Sequence, residues 1–394
     1  MLRPYNLPIF PRSLWYGAPM KLTRRKLLWY GAGAVLVGAG GYKLLRGFED
    51  DPAEDLSKTI PATLRGAALD VHVHALGVGT GGTGCWVNEK TRSSIPARVG
   101  MWNLRLSFSQ PDLDQRYIAY LLSRIRSAGF LKQVVLLAMD YAHDARGERQ
   151  PERTPFYVPN DYVARLAAEH PEFLFGASIH PYRPDALDEL DRVAAQGAVL
   201  VKWIPAAQAI ALDNSRCRAF YRRLAEHKLA LLTHAGEELA VDVAAQEYGD
   251  PRQLVAPLEE GVTVIAAHVA SLGETDGRSN LDLLAEMFPR WPNLWADTSG
   301  LTLVTRWRAL LRIAERTELH ARLIHGSDFP LPPAATLFLG RMPLGRWWNA
   351  WKRENIFRRD FEIKQALGLP AEIFTRGYQV LALRLAQTPA SHAS

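Results

Sequence analysis

Cysteine is scarce. The 394 residues hold two, Cys85 and Cys217, with no Cys-x-x-Cys spacing. That excludes a disulfide framework and a thiolate metal module, and the separation of the pair gives no support for a single bridge. No glycine-rich stretch ends in Gly-Lys-Ser/Thr, so residues 77–84 (GVGTGGTG) are not a phosphate-binding loop. An apolar run of the about 20 residues that span a bilayer is also missing. The nearest, 27–42 (LLWYGAGAVLVGAGGY), is sixteen residues long. Solenoid repeats and low-complexity tracts are absent. Charge of one sign is lacking over most of the chain: residues 1–50 carry eight Lys/Arg and two Asp/Glu, which accounts for the whole formal charge of +6. The rest is neutral, so the basic pI gives no reason to expect a nucleic-acid partner.

What the chain does have is a series of short β-branched runs, each followed by a helix-like segment. The runs are 66–74 (GAALDVHVH), 133–140 (QVVLLAMD), 173–180 (FLFGASIH), 198–204 (AVLVKWI), 229–234 (LALLTH), 262–268 (VTVIAAH), 293–299 (NLWADTS) and 322–328 (RLIHGSD). Helical periodicity occupies 114–128, 161–170, 185–196, 215–227 and 305–316, with Asp161, Asp185 and Ser215 as N-cap candidates. Apolar strands alternating with amphipathic helices predict a parallel sheet. Eight such units predict a closed (β/α)8 TIM barrel rather than an open doubly wound sheet.

The strongest local feature is Asp70-Val71-His72-Val73-His74. Side chains alternate along a strand, so His72 and His74 share a face about 7 Å apart and can close on one ion. The other strands also end in polar groups: Asp140, His180, Lys202, His234, His268 and Asp328. Aliphatic strands do not need histidine at their ends to fold, and in a barrel those ends form the catalytic face. Each member has a bland reading. His180-Pro181 can simply terminate a strand, and Lys202 can pair with Asp297 or Asp140. His325 falls on the opposite face from Asp328 and reads as core. His143 is a minor candidate for substrate contact. His170, His227, His320 and His392 read as structural or solvent-facing.

Together, DVHVH, VKWIP, LLTHAGEE, VIAAHVAS and HGSDFPLP resemble the amidohydrolase superfamily, and within it the amidohydrolase-related branch of metal-dependent hydrolases and decarboxylases. The resemblance runs from about residue 67 to the C-terminus. It implies that His72, His74, His234 and Asp328 bind metal, and that His268 is a second-metal ligand or polarises the substrate. Lys202 would be a carboxylated bridge only in a binuclear site; its VKWIP context favours one ion over two. The implied cofactor is a divalent ion, zinc first and manganese or iron as alternatives. Such an ion lowers the pKa of a bound water to roughly 7. Asp328 would then be the proton acceptor and carrier, and His268 the group facing the growing negative charge.

The implied reaction is hydrolysis of an amide, lactone or ester in a small-molecule substrate. A decarboxylase of a small carboxylic acid on the same fold, and a non-catalytic metal- or ligand-binding barrel, stay open beside it. Asp140, His180 and Arg306 are candidate substrate contacts, Arg306 for an anionic group or else on a solvated helix face. The loop after the first strand, 77–110, carries Trp86, Trp102 and Phe108 and has the length of a lid or substrate wall.

Residues 1–48 form an N-terminal extension in which Thr23-Arg24-Arg25-Lys26-Leu27-Leu28 resembles a twin-arginine export signal. Export machinery of that type is the expected partner, with the barrel periplasmic or membrane-anchored outside the cytoplasm. Residues 1–19 can lie upstream of the true start, since Met20-Lys21-Leu22 reads as a signal beginning. An acidic linker, 49–64, precedes the barrel, which spans 65–394 and includes extra C-terminal helices. In the Trp- and Arg-rich stretch 341–359, Trp347, Trp348 and Trp351 pack on the barrel or else face a membrane or partner.

Overall fold

Eight parallel strands carry the apolar runs: β1 (Ala68–His74), β2 (Leu131–Leu137), β3 (Phe173–Ala177), β4 (Leu200–Trp203), β5 (Ala230–His234), β6 (Val264–Ala267), β7 (Leu294–Asp297) and β8 (Leu323–Ile324). They pair in chain order as one sheet in a computed structural model that describes residues 59–387. The expected export segment 1–48 and the linker up to residue 58 lie outside the described residues. Ile60 and Leu64, at the end of the expected linker, are already buried in the core.

The sheet closes on itself beyond β8. Val71 N–H donates to His325 O (3.1 Å), Asp328 N–H to His72 O (3.0 Å) and His74 N–H to Phe329 O (2.9 Å). These bonds place Asp328 directly beside the two histidines of β1. Alternation then sorts the side chains. Leu200 and Leu232 share a face with Lys202 and His234 and join Val135, Leu137, Ile265 and Ile324 in an inner apolar cluster. Val201, Leu231, Val264 and Ala296 belong to the larger cluster that includes the helices. His325 packs, fully buried, between the rings of Phe130 and Phe374, with centroids at 5.8 and 4.8 Å.

Helices follow the strands at Leu113–Ala128, Asn160–Glu169, Ala186–Ala195, Arg218–Glu226, Val255–Glu259, Asn280–Met287 and Trp307–Glu315. The capping differs from the sequence expectation. Asp161 lies inside its helix and pairs with Arg192. Asp185 occupies a cap position but its carboxylate goes to Arg183. Asn214, not Ser215, accepts the free amide of Arg216. Arginines take up the carboxylates of Asp161 and Asp185, whereas Asn214 makes a cap one residue ahead of the expected one.

Four C-terminal helices, Leu344–Lys352, Ile356–Ala366, Glu372–Val380 and Ala382–Leu385, complete the body. Gly377 lets the third lie on β1, since a Cβ there would sit 3.0 Å from Val71 and 3.1 Å from Leu69. The second is tied to the catalytic end of the barrel. Buried Lys364 donates to Gly326 O (2.8 Å) and to Asp360 (2.6 Å), and Thr302 donates to Asp360 (2.7 Å). Trp347 and Trp351 pack against the core, while Trp348 is 46% exposed.

Candidate active site

At the carboxyl ends of the strands, His74 Nε2 lies 3.3 Å and His72 Nε2 3.5 Å from Asp328 Oδ1. His72, His74 and Asp328 therefore offer three donor atoms within 4.8 Å of one another. A second triplet of the same closeness, His72, His268 and Asp297, is of a different kind because hydrogen bonds consume its atoms. His72 Nδ1 is 2.7 Å from Asp297 Oδ2, so that nitrogen carries the proton and Nε2 keeps its lone pair. His268 Nδ1 is 2.9 Å from the Ser299 carbonyl and is likewise protonated.

His234 shows the same arrangement. Its Nδ1 is 3.0 Å from Glu238 Oε2, while its Nε2 is buried and has no hydrogen-bond partner. A buried nitrogen without a partner is costly unless something binds it. A carboxylate behind each histidine is how proteins orient imidazoles toward a metal. Burial drives the pKa of His72 down, that of His268 well down and that of His234 to about 4. All three are neutral, the form a metal requires. Burial alone would raise the Asp328 carboxyl, yet His268, His74 and His72 around it hold it well below the usual carboxylate range. The donor set thus fits a divalent cation.

Lys202 Nζ stands 3.1 Å from His72 Nε2, and burial lowers its pKa to about 8 against the opposing pull of Asp297 and Asp328. The geometry changes the role open to His268. With Nδ1–H given to Ser299, its Nε2 can ligate or accept a proton but cannot donate to a substrate oxygen.

Two of these residues sit in strained backbone. His268, Val269 and Ala270 have φ of 57°, 51° and 47°, and Asp328 has 68°. Left-handed geometry costs an L-residue about 1 kcal/mol or more, and it gathers at functional sites. Gly300 makes room for both: a Cβ there would lie 2.9 Å from Asp328 Oδ2 and 3.3 Å from His268 Nδ1.

The remaining candidates divide. His180 is spent on the protein: Nε2 donates to Gln208 O (2.8 Å) and Nδ1 accepts from Tyr182 N–H (3.1 Å). Asp140 accepts from His180 N–H and from Arg183. Both build the β2 and β3 loops. The His143 ring lies tilted against that of His180, with centroids 4.7 Å apart. Arg306 is buried, not on a solvated face. The long loop is pinned rather than loose, since Asp114 accepts from Val78 N–H, Gly79 N–H, Thr80 and Thr83. Trp86 meets Tyr141 at 6.1 Å, and Phe156 sits 6.4 Å from the His74 ring.

The family model for amidohydrolases matches residues 69–338. The chain belongs to the amidohydrolase family. That family is metal-dependent, and this amidohydrolase is an enzyme of its hydrolase and decarboxylase class. No curated protein matches the sequence. Among solved structures, an uncharacterized TIM-barrel protein from Bordetella bronchiseptica is similar at 16% identity and TM-score 0.53, covering 81% of this chain and 98% of that one. A 5-carboxyvanillate decarboxylase from Sphingomonas paucimobilis aligns at 14% identity and TM-score 0.48, over 83% of this chain and 100% of that one. A protein from Pseudomonas putida provisionally named 2-pyrone-4,6-dicarboxylic acid hydrolase aligns at 16% and 0.49, over 80% and 97%. At these identities the likeness is one of fold.

The sequence does not single out Glu238, and Asp297, expected there only as a partner of Lys202, instead holds His72 Nδ1. Glu238 stands four residues after His234, inside LLTHAGEE, and Asp297 closes β7.

Proposed function

We propose that this amidohydrolase hydrolyses an ester, lactone or amide with one divalent ion held by His72, His74, His234 and Asp328. The supporting observation is the buried, partnerless Nε2 of His234, held by Glu238 from behind, with its ring 4.9 Å from that of His268, which in turn lies 5.1 Å from His72 of the compact His72, His74 and Asp328 group. Zinc suits three imidazoles and a carboxylate, with manganese and iron as alternatives. When bound, the ion supplies Lewis acidity that activates water and polarises a carbonyl.

The protein's own residues do the rest. Asp328, ionised, presents Oδ1 to the two histidines of β1. Its Oδ2 is the proton acceptor and passes the proton to the leaving group. Asp297 and Glu238 fix the tautomers of His72 and His234, so no donor atom has to reorganise during turnover. Ser299 O holds His268 with its Nε2 lone pair free, which supports a ligand or proton-accepting role. Lys202 is proposed as a buried cation beside the site rather than a carboxylated bridge, in keeping with one ion.

The test is elemental analysis of the purified protein beside His234→Ala and Asp328→Ala, followed by an ester, lactone and amide panel in 18O-labelled water. One equivalent of metal, lost in both variants, and one labelled oxygen in the carboxylate product, with none in the alcohol or amine, support the proposal. Two equivalents would restore the bridging role of Lys202. Release of CO2 from carboxylic acids added to the panel, with no label in the organic product, would make the enzyme a decarboxylase. We also propose that residues 1–48 carry the barrel out of the cytoplasm, to the periplasm or to a membrane-anchored state. The support is the Arg24-Arg25 pair ahead of a short uncharged segment.

A further inference from the structure

Among the described residues, Arg306 is a buried charge with no ion-pair partner. It directly precedes the helix Trp307–Glu315 in the β7 connection and is only 5% exposed. Its side chain makes one hydrogen bond, from Nη1 to Ser271 Oγ (3.0 Å), and no ion pair among the described residues. A guanidinium has five N–H donors and cannot shed its charge, so burying it without a carboxylate partner is expensive. Other buried arginines of this chain avoid that expense: Arg353 and Arg358 both reach Glu362, at 2.9 and 2.8 Å.

The partner of Arg306 locates it at the site: Ser271, to which it donates, closes the turn that begins at His268, its N–H donating to His268 O (3.0 Å). The charge of Arg306 is felt by His268, His234 and Lys202, and it feels Glu238, Asp328 and Asp297. The acids within electrostatic reach are already committed. Asp297 faces His72 and Ser299, Glu238 faces His234 and the amide of Ala240, and Asp328 faces the histidines of β1. Arg306 is thus balanced at a distance and bonded to none of them. The fork of a guanidinium matches a carboxylate in a bidentate pair, which gives both strength and orientation.

We propose that Arg306 is a specificity-determining residue that binds a carboxylate of the substrate, so that the natural substrate is an anionic compound carrying this group apart from the bond that reacts. Ser271 holds the guanidinium in its free position. The inference rests on the proposed metal-assisted reaction for the existence of a substrate site, but not on whether the reaction is hydrolysis.

The test compares thermal stabilisation of the full-length, metal-loaded protein by acetate, benzoate, succinate and glutarate with that by the matching amides. In the wild type at least one carboxylate binds more tightly than its amide. Arg306→Met loses that preference by about tenfold or more at unchanged metal content, and Arg306→Lys keeps part of it. Ser271→Ala, which removes the anchoring hydrogen bond but not the charge, retains the preference, as a merely structural role for the pair would not allow. The proposal is overturned if no carboxylate outperforms its amide in the wild type, or if the preference survives in Arg306→Met. Failure of the labelled-water assay with the carboxylate preference intact would remove hydrolysis and leave Arg306 in place. Hydrolysis with no carboxylate preference would do the reverse.

Discussion

A histidine that ligates has to be held from the side away from the metal, and in the proposed site the holders are Glu238 and Asp297. Glu238→Gln keeps the shape of the contact and removes its charge, so metal affinity falls about 10–100-fold, as measured by competition with a chelator. Unchanged affinity would mean that His234 is not a ligand. Gly300→Ala places a methyl group against Asp328 and His268. It lowers turnover by about 100-fold while metal content is maintained, since small misplacements of reacting groups have effects of that order. A variant with wild-type turnover would show that Asp328 has room to move. His180 offers a pH prediction away from the metal. Burial, with His143 close by, lowers its folded pKa to about 3, against about 6.5 in an unfolded chain. Between those values the unfolded state binds a proton that the folded state does not. Stability from this group is therefore complete above pH 6.5 and is lost as pH falls toward 3. Urea unfolding at pH 7.5 and pH 5 checks it: His180→Gln loses less stability on acidification than the wild type, and parallel losses would refute the assignment. In the sequence the donors themselves stand out because strand ends carry few reasons to be histidine. Their holders do not. Nothing about a glutamate four positions after His234 distinguishes it from a solvated one until the chain folds back on itself.

At the level of elements, each apolar run did become a strand, because burial on both faces leaves a parallel strand little freedom in composition. The ends were less legible. The run 322–328 contributes only Leu323–Ile324 as regular strand, since beyond it Asp328 turns left-handed and the backbone bonds to β1 instead. No local pattern announces such a turn in a residue other than glycine. The C-terminal helices were visible as periodicity, but their attachment was not: Lys364 looks like any helix-surface lysine in the sequence, whereas it is fully buried against Asp360 and Gly326. Replacing it by methionine leaves Asp360 as an uncompensated buried charge and destabilises the protein by about 3–5 kcal/mol in urea unfolding. Adding Asp360→Leu to Lys364→Met recovers most of that loss if the pair is a stability neutral switch of charge for packing. No recovery would show that the Thr302 contact to Asp360 matters more.

For the whole molecule, Arg24→Lys combined with Arg25→Lys should leave the barrel in the cytoplasmic fraction of a host that exports twin-arginine proteins. The unaltered chain should reach the periplasm or its membrane face, and cell fractionation followed by immunoblotting distinguishes the two. Equal distribution of both proteins would refute export by this route. The composition could say that the net positive charge is confined to the first 50 residues, but what a signal does is read by a receptor and not by the fold. The seam between β1 and residues 325–329 has one more consequence. Asp70, His72 and His74 are made early and Asp328 late, and Lys364, which steadies the strand end beside Asp328, later still. A ribosome-bound chain therefore holds two histidines waiting for a carboxylate that has not been synthesised. In the proposed site, metal capture then waits until Asp328 has been made, and a nonsense mutation at any codon from 316 to 328 removes that carboxylate while leaving His72, His74 and His234 in the chain.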